Sequence, residues 1–505
     1  MNFQSVKAFF ASTTPRTRQK LWLSVIALAV AVALLLLNLL IGFLPWGVRH
    51  FAFQDNAAFG ISYPTKSLLQ SLEEEVRIYL VTEDGELNID RDLYSFIKDY
   101  EALTSCVEVG TVSTKADPAF FASRGLDVPE EIAFLIESDR RCRLILISEL
   151  YYYECVNSVK GEELTMRLTP DEYAAYAAYG QSLLNSGCTI TPYFNAESSV
   201  TNAIAFVTRE DVPTVAVVES DTNYKPDGAW LSHLLENGYE IEKIASVADL
   251  SAKHDFLLFN TPLTDVTEPE ANALSAWLEA GGDMFLTTYY RTELPSRLGE
   301  ILDAYGLSAD ETGVRLVEND KNYAVSAGSD SYMYAKIASS HEVSSGFNGV
   351  FLSTDSHAIK IEVKQGVSTT PWLYTTETGS RERYNSSTGG FDAIAEDRAA
   401  HAYGVIAERD ESSVIWVSTP YAFSRDFDLL AEGSNFELLL SAFDWANDHD
   451  SAEAQIEIES SVLESTYLAV PWTSFVVWGI ILVILLPGSL VFVGILRRYV
   501  RKRKI

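Results

Sequence analysis

EPEANALSAWLEAGGDMFLTTYY, residues 268–290, decides the fold. Ala271, Leu274, Trp277 and Leu278 recur at helical spacing, and Gly281 with Gly282 stops the helix as C-terminal glycines do. DMFLTTYY then continues as a strand. The same rhythm extends on both sides. VPTVAVV (212–218) is a strand, 230–237 a helix stopped by Gly238, and 239–244 and DFLLFN (255–260) are strands. Downstream, SSVIWVS (412–418) resumes the sheet, and 435–445 is a last helix bearing Phe436, Leu439, Leu440 and Phe443. Strands alternating with helices of this length imply an α/β domain over 211–450, its parallel sheet covered on both faces. Residues 313–398 break the pattern with short runs such as AIKIEVKQ among Ser, Thr and Gly, and read as an irregular β-rich insertion.

Upstream, 47–210 reads as a separate unit. VRIYLVT (76–82) is a strand, and 90–103 is a helix with Leu93, Phe96, Ile97 and Tyr100 on one face. VEVGTVST (107–114) is a strand, ADPAFFASRGL a short helix, and IAFLIES with RCRLILIS a hairpin around Ser138, Asp139 and Arg140. That order is the order of a thioredoxin-like sheet, here without a C-x-x-C pair. A helix over 196–208, with Val200, Ile204 and Val207 at helical spacing, closes it.

Two long apolar segments flank these domains, at 21–46 and 470–496. The first carries no charge and exceeds the roughly 20 residues that span a bilayer, so it reads as an uncleaved anchor rather than a shorter cleaved signal peptide. The second holds Pro487 mid-span, a kink where outside and inside could couple. Lys7, Arg16, Arg18 and Lys20 precede the first, and six Arg or Lys residues over 497–505 follow the second. The positive-inside rule therefore makes 1–20 and 497–505 cytoplasmic tails of a two-pass protein of the bacterial plasma membrane. The body between them is extracytoplasmic, with 451–469 as linker. Taking these ten positive charges from the net charge of −32 leaves −42 on residues 21–496. Such a body repels nucleic acid.

Chemistry is sparse. Seven scattered histidines form no H-E-x-x-H, and no set of ligands points to a metal. Neither a G-x-x-x-x-G-K-[ST] nor a strand-anchored G-x-G-x-x-G occurs, so no nucleotide cofactor is expected by those routes. D-S-H at Asp355, Ser356 and His357 has the residue types of a hydrolase triad, but triads are assembled across a fold rather than from neighbours. No catalytic residue is assigned. In a parallel α/β sheet, ligands bind beyond the carboxyl ends of the strands, which selects Glu219, Ser220 and Asp221 after one strand and Thr261 after another. Solvated loops and a helix cap explain the same residues. Cys106, Cys142, Cys155 and Cys188 allow three full pairings, of which Cys155 with Cys188 is preferred, with buried free thiols as the alternative.

Several stretches resemble one family, the extracytoplasmic auxiliary subunits of ABC-2-type transporters related to the gliding-motility protein GldG. ISYPTKSLLQSL (61–72) leading into VRIYLV resembles the family's opening, and FNAESSVTNAIAFVT (194–208) the helix closing its first domain. SAWLEAGGDMFL (275–286) and GSNFELLLSAFDW (433–445) resemble its second-domain helix and strand and its final helix. The turn after the first strand of the second domain departs, reading ESDTNY (219–224) where many relatives carry glycine and histidine. The resemblance implies a thioredoxin-like domain followed by a glutamine-amidotransferase-like (flavodoxin-like) domain, both without catalytic residues or cofactor. It also implies an ABC-2-type permease and a separate cytoplasmic ATPase as partners. The expected function is that of a non-enzymatic accessory subunit; the alternatives are a cell-envelope hydrolase using the α/β cleft, or an envelope scaffold.

Overall fold

A computed structural model describes residues 60–85, 91–159, 162–179, 189–325, 331–395 and 397–463. The segments 21–46 and 470–496, both tails, Pro487 and Cys188 lie outside the described residues. Among the described residues, no helix is long and apolar enough to cross a membrane.

The first lobe grows from VRIYLVT, whose Val76, Ile78, Leu80 and Val81 are buried in β1 (Val76–Thr82). Helix α1 (Tyr63–Ser71) precedes it, and α2 (Arg91–Leu103) follows, burying Leu93, Phe96, Ile97 and Tyr100 as the spacing requires. Strand β2 (Val107–Ser113) runs parallel to β1. After α3 (Pro118–Ala122), the hairpin of β3 (Ala133–Glu137) and β4 (Cys142–Leu146) completes a sheet of order β2-β1-β3-β4, with β3 antiparallel to β1 and β4.

A second sheet has no forerunner in the sequence pattern. Strand β5 (Tyr151–Val159) lies between β6 (Glu162–Leu168) and β7 (Thr189–Phe194), both antiparallel to it, with α4 (Pro170–Tyr179) between the last two in the chain. Tyr153 stacks on Tyr173 of α4 at 4.2 Å between ring centroids. Cys155 is buried in the middle of β5. Helix α5 (Ala196–Thr208) closes the lobe, with Val200, Ile204 and Val207 fully buried and its body packed on β3 and β4.

In the second lobe come β8 (Thr214–Val218), α6 (Gly228–Glu236), β9 (Glu240–Ile244), β10 (Phe256–Phe259), α7 (Glu268–Glu279), β11 (Asp283–Thr287) and α8 (Ser296–Ala304). Helix α7 starts in a capping box, where Thr267 and Glu270 each accept a bond from the other's backbone N–H. It stops at Gly281 (φ 96°), and a Cβ on Gly282 would fall 2.4 Å from the Trp277 indole, so the adjoining glycine permits that packing.

From residue 307 onward the strands are short: β12 (Leu307–Ala309), β13 (Val314–Val317), β14 (Met333–Tyr334), β15 (Lys336–Ile337), β16 (Leu352–Ser353), β17 (Ile359–Ile361), β18 (Val367–Tyr374), β19 (Ser380–Asn385) and β20 (Gly390–Ala393). Then β21 (Ala402–Arg409) and β22 (Ser412–Val417) form a hairpin that turns at Asp410 (φ 53°). The main sheet has the order β15-β18-β21-β22-β11-β10-β8-β9. Its β22-to-β9 half is parallel and the rest antiparallel, so the sheet is mixed rather than parallel throughout. The hairpin reverses the chain, and β18 with β15 extends this same sheet beyond β21. Side chains alternate along each strand to feed two cores. Val215, Phe256, Phe285 and Ile415 meet Trp230 and Phe443 on one face, while Ala216, Leu257, Met284 and Leu286 meet Leu274 and Leu302 on the other.

Helices α9 (Arg425–Leu430), α10 (Ser434–Asn447) and α11 (Ser451–Ala454) follow, and β23 (Ser461–Val462) pairs with β7 of the first lobe. Residues 451–463, within the expected linker 451–469, run back along the first lobe.

Arginines join the lobes. The Arg425 Nε lies 2.7 Å from Glu172 Oε1, its Nη2 donates to the Arg167 carbonyl at 2.9 Å, and its Nη1 lies 2.8 Å from Asp428. Arg141 donates to the carbonyls of Phe206 and Arg209 while pairing with Glu240, and Arg143 donates to the Leu235 carbonyl. Replacing Arg425 by Met leaves the 1 %-exposed Asp428 side chain without its cation and is expected to lower unfolding free energy by about 3 kcal/mol in a denaturant titration. Near the same junction, burial, with Glu236 nearby, pushes the Glu149 carboxyl up to about 7. A carboxyl raised in the folded state adds stability that is lost as pH rises from the unfolded value toward 7. Glu149→Gln is therefore expected to gain stability relative to wild type progressively from pH 4.5 to 7.5, measured as the difference between their denaturation midpoints.

Candidate functional site: the carboxyl edge of the parallel strands

The loops after β8, β10, β11 and β22 converge above the carboxyl ends of their strands, where a parallel α/β sheet leaves a crevice. Asn223, after β8, bridges to Pro262, after β10. Its side-chain amide donates to the carbonyls of Val218 and Tyr224, and its Oδ1 accepts from the Ser220 N–H at 2.9 Å. Two further backbone bonds, Tyr224 N–H to Thr261 O and Leu263 N–H to Thr222 O, lock the loops together.

Thr261 sits at the centre of this seam, buried and left-handed at φ 44°. A β-branched residue there is strained by about 1–3 kcal/mol and persists because its surroundings fix it. Thr287 at the end of β11 does so: its Oγ1 accepts from the Thr261 N–H at 2.8 Å and from the Thr261 hydroxyl at 2.7 Å, while donating to Asn260 Oδ1 at 2.6 Å.

A second buried relay crosses beneath. The Trp416 Nε1–H donates to Thr288 Oγ1 at 2.9 Å, and Thr288 Oγ1 lies 2.7 Å from His357 Nε2. His357 Nδ1 lies 3.1 Å from the Ala358 carbonyl, which can only accept. Nδ1 therefore carries the proton and Nε2 accepts from Thr288. Burial pushes this histidine down to about 4, so it is neutral and both ring nitrogens are committed. The Ser356 hydroxyl turns to the Thr354 carbonyl instead of the imidazole. Asp355, Ser356 and His357 therefore form no triad. Pro262, Thr288, Tyr289, Tyr290, Leu294 and His357 line a small cavity over this floor.

The rim is tyrosine. Tyr224 and Tyr289 stand 6.3 Å apart between ring centroids, and Tyr421, after β22, is 36 % exposed. Asp355 faces them from the loop between β16 and β17, left-handed at φ 53°. Burial holds its carboxyl above the ordinary range, with Arg315 and Arg291 pulling the other way. The Tyr289 and Tyr421 hydroxyls are pushed up by burial first and by the Asp355 charge second.

Of the residues chosen from the sequence, Thr261 and Ser220 meet at the loop seam. Glu219 leans toward β9, pairing with Lys243 at 3.2 Å, and Asp221 is exposed. The strand-end rule does not single out Asn223, Tyr224, Thr288, Tyr289, Asp355 or Tyr421, although each lies just past a strand end or, for Asp355, within the D-S-H run. Among the described residues, no group of three His, Cys, Asp or Glu is placed to hold a metal ion.

These features define a mixed α/β protein with a polar crevice at the carboxyl edge of its parallel strands. Residues 223–442 match a family described as a domain of unknown function, DUF4350. No curated protein matches the chain in sequence. Among solved structures, the mmIFT52 N-terminal domain is similar over 48 % of this chain and 100 % of its own, at 14 % identity and a TM-score of 0.35. A putative ThuA-like protein from Bacteroides uniformis is similar over 48 % and 97 %, at 11 % identity and 0.31. A second putative ThuA-like protein, from Parabacteroides merdae, is similar over 50 % and 98 %, at 12 % and 0.29.

Thr288→Val removes the partner of two buried groups, the Trp416 indole N–H and His357 Nε2. Each costs about 1–3 kcal/mol when left unsatisfied, so a loss of about 3 kcal/mol in unfolding free energy is expected from denaturant titration.

Proposed function

We propose that the chain is a GldG-like, membrane-anchored accessory subunit of an ABC-2-type transporter complex in the bacterial plasma membrane. It has no chemistry of its own, and its extracytoplasmic body binds or gates substrate or partners. One observation carries the reading: both ends of the body fasten to the same helix. The Ser62 N–H and the Thr65 hydroxyl donate to Glu197 of α5 at 2.5 and 2.6 Å. From the other end, Ile456 exchanges two bonds with Asn202 of α5, Ser460 donates to Asn195 beside it, and the Leu463 N–H donates to the Pro192 carbonyl. The routes toward 21–46 and 470–496 thus start from neighbouring points. Departure from neighbouring points suits a subunit that works against the helices of a permease.

The β2-β1-β3-β4 order with β3 reversed favours the thioredoxin-like reading of the first lobe, and the parallel half of the main sheet the glutamine-amidotransferase-like reading of the second. The commitment of His357 to Thr288 and Ala358 favours a body without hydrolytic chemistry. Expressed with its chromosomal neighbours and extracted in gentle detergent, the full chain is expected to co-purify with a polytopic permease and a nucleotide-binding subunit. Recovery of the chain alone in each of several such detergents would overturn the proposal.

A further inference from the structure

Residues 452–463 cross from the second lobe to the first with no buried residue among them. Their anchor is Ser451, which is buried and whose hydroxyl donates to Asp444 Oδ1 at 2.6 Å, an oxygen that also accepts from the Tyr239 hydroxyl at 2.7 Å. Beyond it, polar bonds alone fasten the stretch. On the second-lobe side, Gln455 Nε2 donates to the Glu236 carbonyl at 3.0 Å and to Asn237 Oδ1 at 2.8 Å, where α6 ends. On the first-lobe side, Arg209 Nη2 donates to the Ala454 carbonyl at 2.7 Å, and the Asn202 amide holds both backbone groups of Ile456, accepting at 2.6 Å and donating at 3.1 Å. The Ser460 hydroxyl donates to Asn195 Oδ1 at 2.7 Å. The Leu463 N–H donates to the Pro192 carbonyl at 2.8 Å, beside the two-residue pairing of β23 with β7. Among the described residues, Glu453, Glu457 and Glu459 add no ion pair to this fastening.

We propose that residues 452–463 are a clasp that opens about Ser451 while both lobes stay folded. A hydrogen bond that replaces one to water contributes little net stability, and a segment without buried apolar contacts belongs to the part of a fold that opens first. The lobes do not depend on the clasp. Arg425 reaches Glu172 and the Arg167 carbonyl, and Arg143 the Leu235 carbonyl, so these bonds join the lobes whether it is closed or open. Opening uncovers the edge of β7 at Tyr193 and Phe194, and a bare strand edge is a template for pairing with another strand. The clasp is thus an order–disorder device that governs access to that edge. Its opening stands on the bonds above. Its use rests on the accessory-subunit reading, under which the clasp is the last described stretch before the segment 470–496 and ties that end of the chain to both lobes.

The test is native-state hydrogen exchange of the full chain in neutral detergent, followed by mass spectrometry across a series of guanidinium concentrations below the unfolding transition. The bonded amides of Ile456 and Leu463 are expected to be protected, but roughly 100-fold or more weakly than those of β8 and β10, and to open before denaturant reaches the sheet. Asn202→Ala, which removes both bonds to Ile456, should lower clasp protection by about tenfold more and leave β8 and β10 unchanged. Gln455→Ala should act in the same direction and serves where Asn202→Ala fails to fold. Protection of Ile456 and Leu463 equal to that of β8, with the same dependence on denaturant, would overturn the proposal, because the clasp would then open only when the whole body unfolds. Exchange as fast as in an unfolded chain would overturn it from the other side, by showing that the clasp never closes. So would clasp amides that exchange no faster in either variant than in wild type, given a wild-type circular dichroism spectrum. None of these results bears on co-purification with transporter subunits, which tests the accessory-subunit reading by itself.

Discussion

Helix α5 (Ala196–Thr208) is the element on which the hairpin sheet of the first lobe and both ends of the described body meet. Its apolar face, Val200, Ala203, Ile204 and Val207, is fully buried and packs on β3 and β4. Its polar positions serve a different purpose. Glu197 and Thr201 take the chain entering at Ser62 and Thr65, and Asn202 takes the chain leaving at Ile456. The Phe206 carbonyl in its last turn and the Arg209 carbonyl just past its end accept from Arg141, and Arg141 also reaches Glu240 of the second lobe. One 13-residue helix thus meets β3 and β4, both ends of the described body and an arginine that reaches the neighbouring lobe.

The polar layer beneath the crevice shows how the loops above it are held. Buried hydroxyls are costly unless bonded, and here they are bonded in chains: Thr261 to Thr287 to Asn260, and Trp416 to Thr288 to His357. Each chain ties a loop to the end of a strand. The strain at Thr261 and Asp355 is sustained by this layer, because neither residue could keep a left-handed backbone in a loop free to relax. The His357 imidazole of the D-S-H run is taken up in this layer.

How much of this was legible in the sequence follows from how local each signal is. The strands β8, β10, β11 and β22 are apolar runs bounded by turns, and α7 carries its own cap and its own glycine stop, so their existence could be read directly. Sheet β5-β6-β7 is hidden because YYYECVNSV and TITPYF mix tyrosine, threonine and charge without clean alternation. Strand β18 reads as part of an insertion, since VSTTPWLY is polar and holds Pro371 in mid-strand, where the register shifts. The two residues of β23 are beyond any periodicity. At the crevice, the strand-end rule reached Thr261 from sequence alone. Tyr224, Tyr289, Tyr421 and Asp355 come from four separate loops, and only the assembled sheet sets those loops at one edge.

The charge balance acquires a clearer meaning from where the cations stand. Arg425 is taken up by Glu172 and Asp428, Arg381 by Asp397 and Asp310, and Arg124 by Glu137. Arg141 and Arg143 cap carbonyls at the junction of the lobes. These cations hold the body together, and each neutralises an acid or a carbonyl dipole close at hand. The field beyond the surface is then set by the acids that remain in excess, which accounts for an exterior that repels nucleic acid and draws cations. Composition alone gives the sign of that field. The structure adds that at the crevice the Asp355 carboxylate stands under the charges of Arg315 and Arg291.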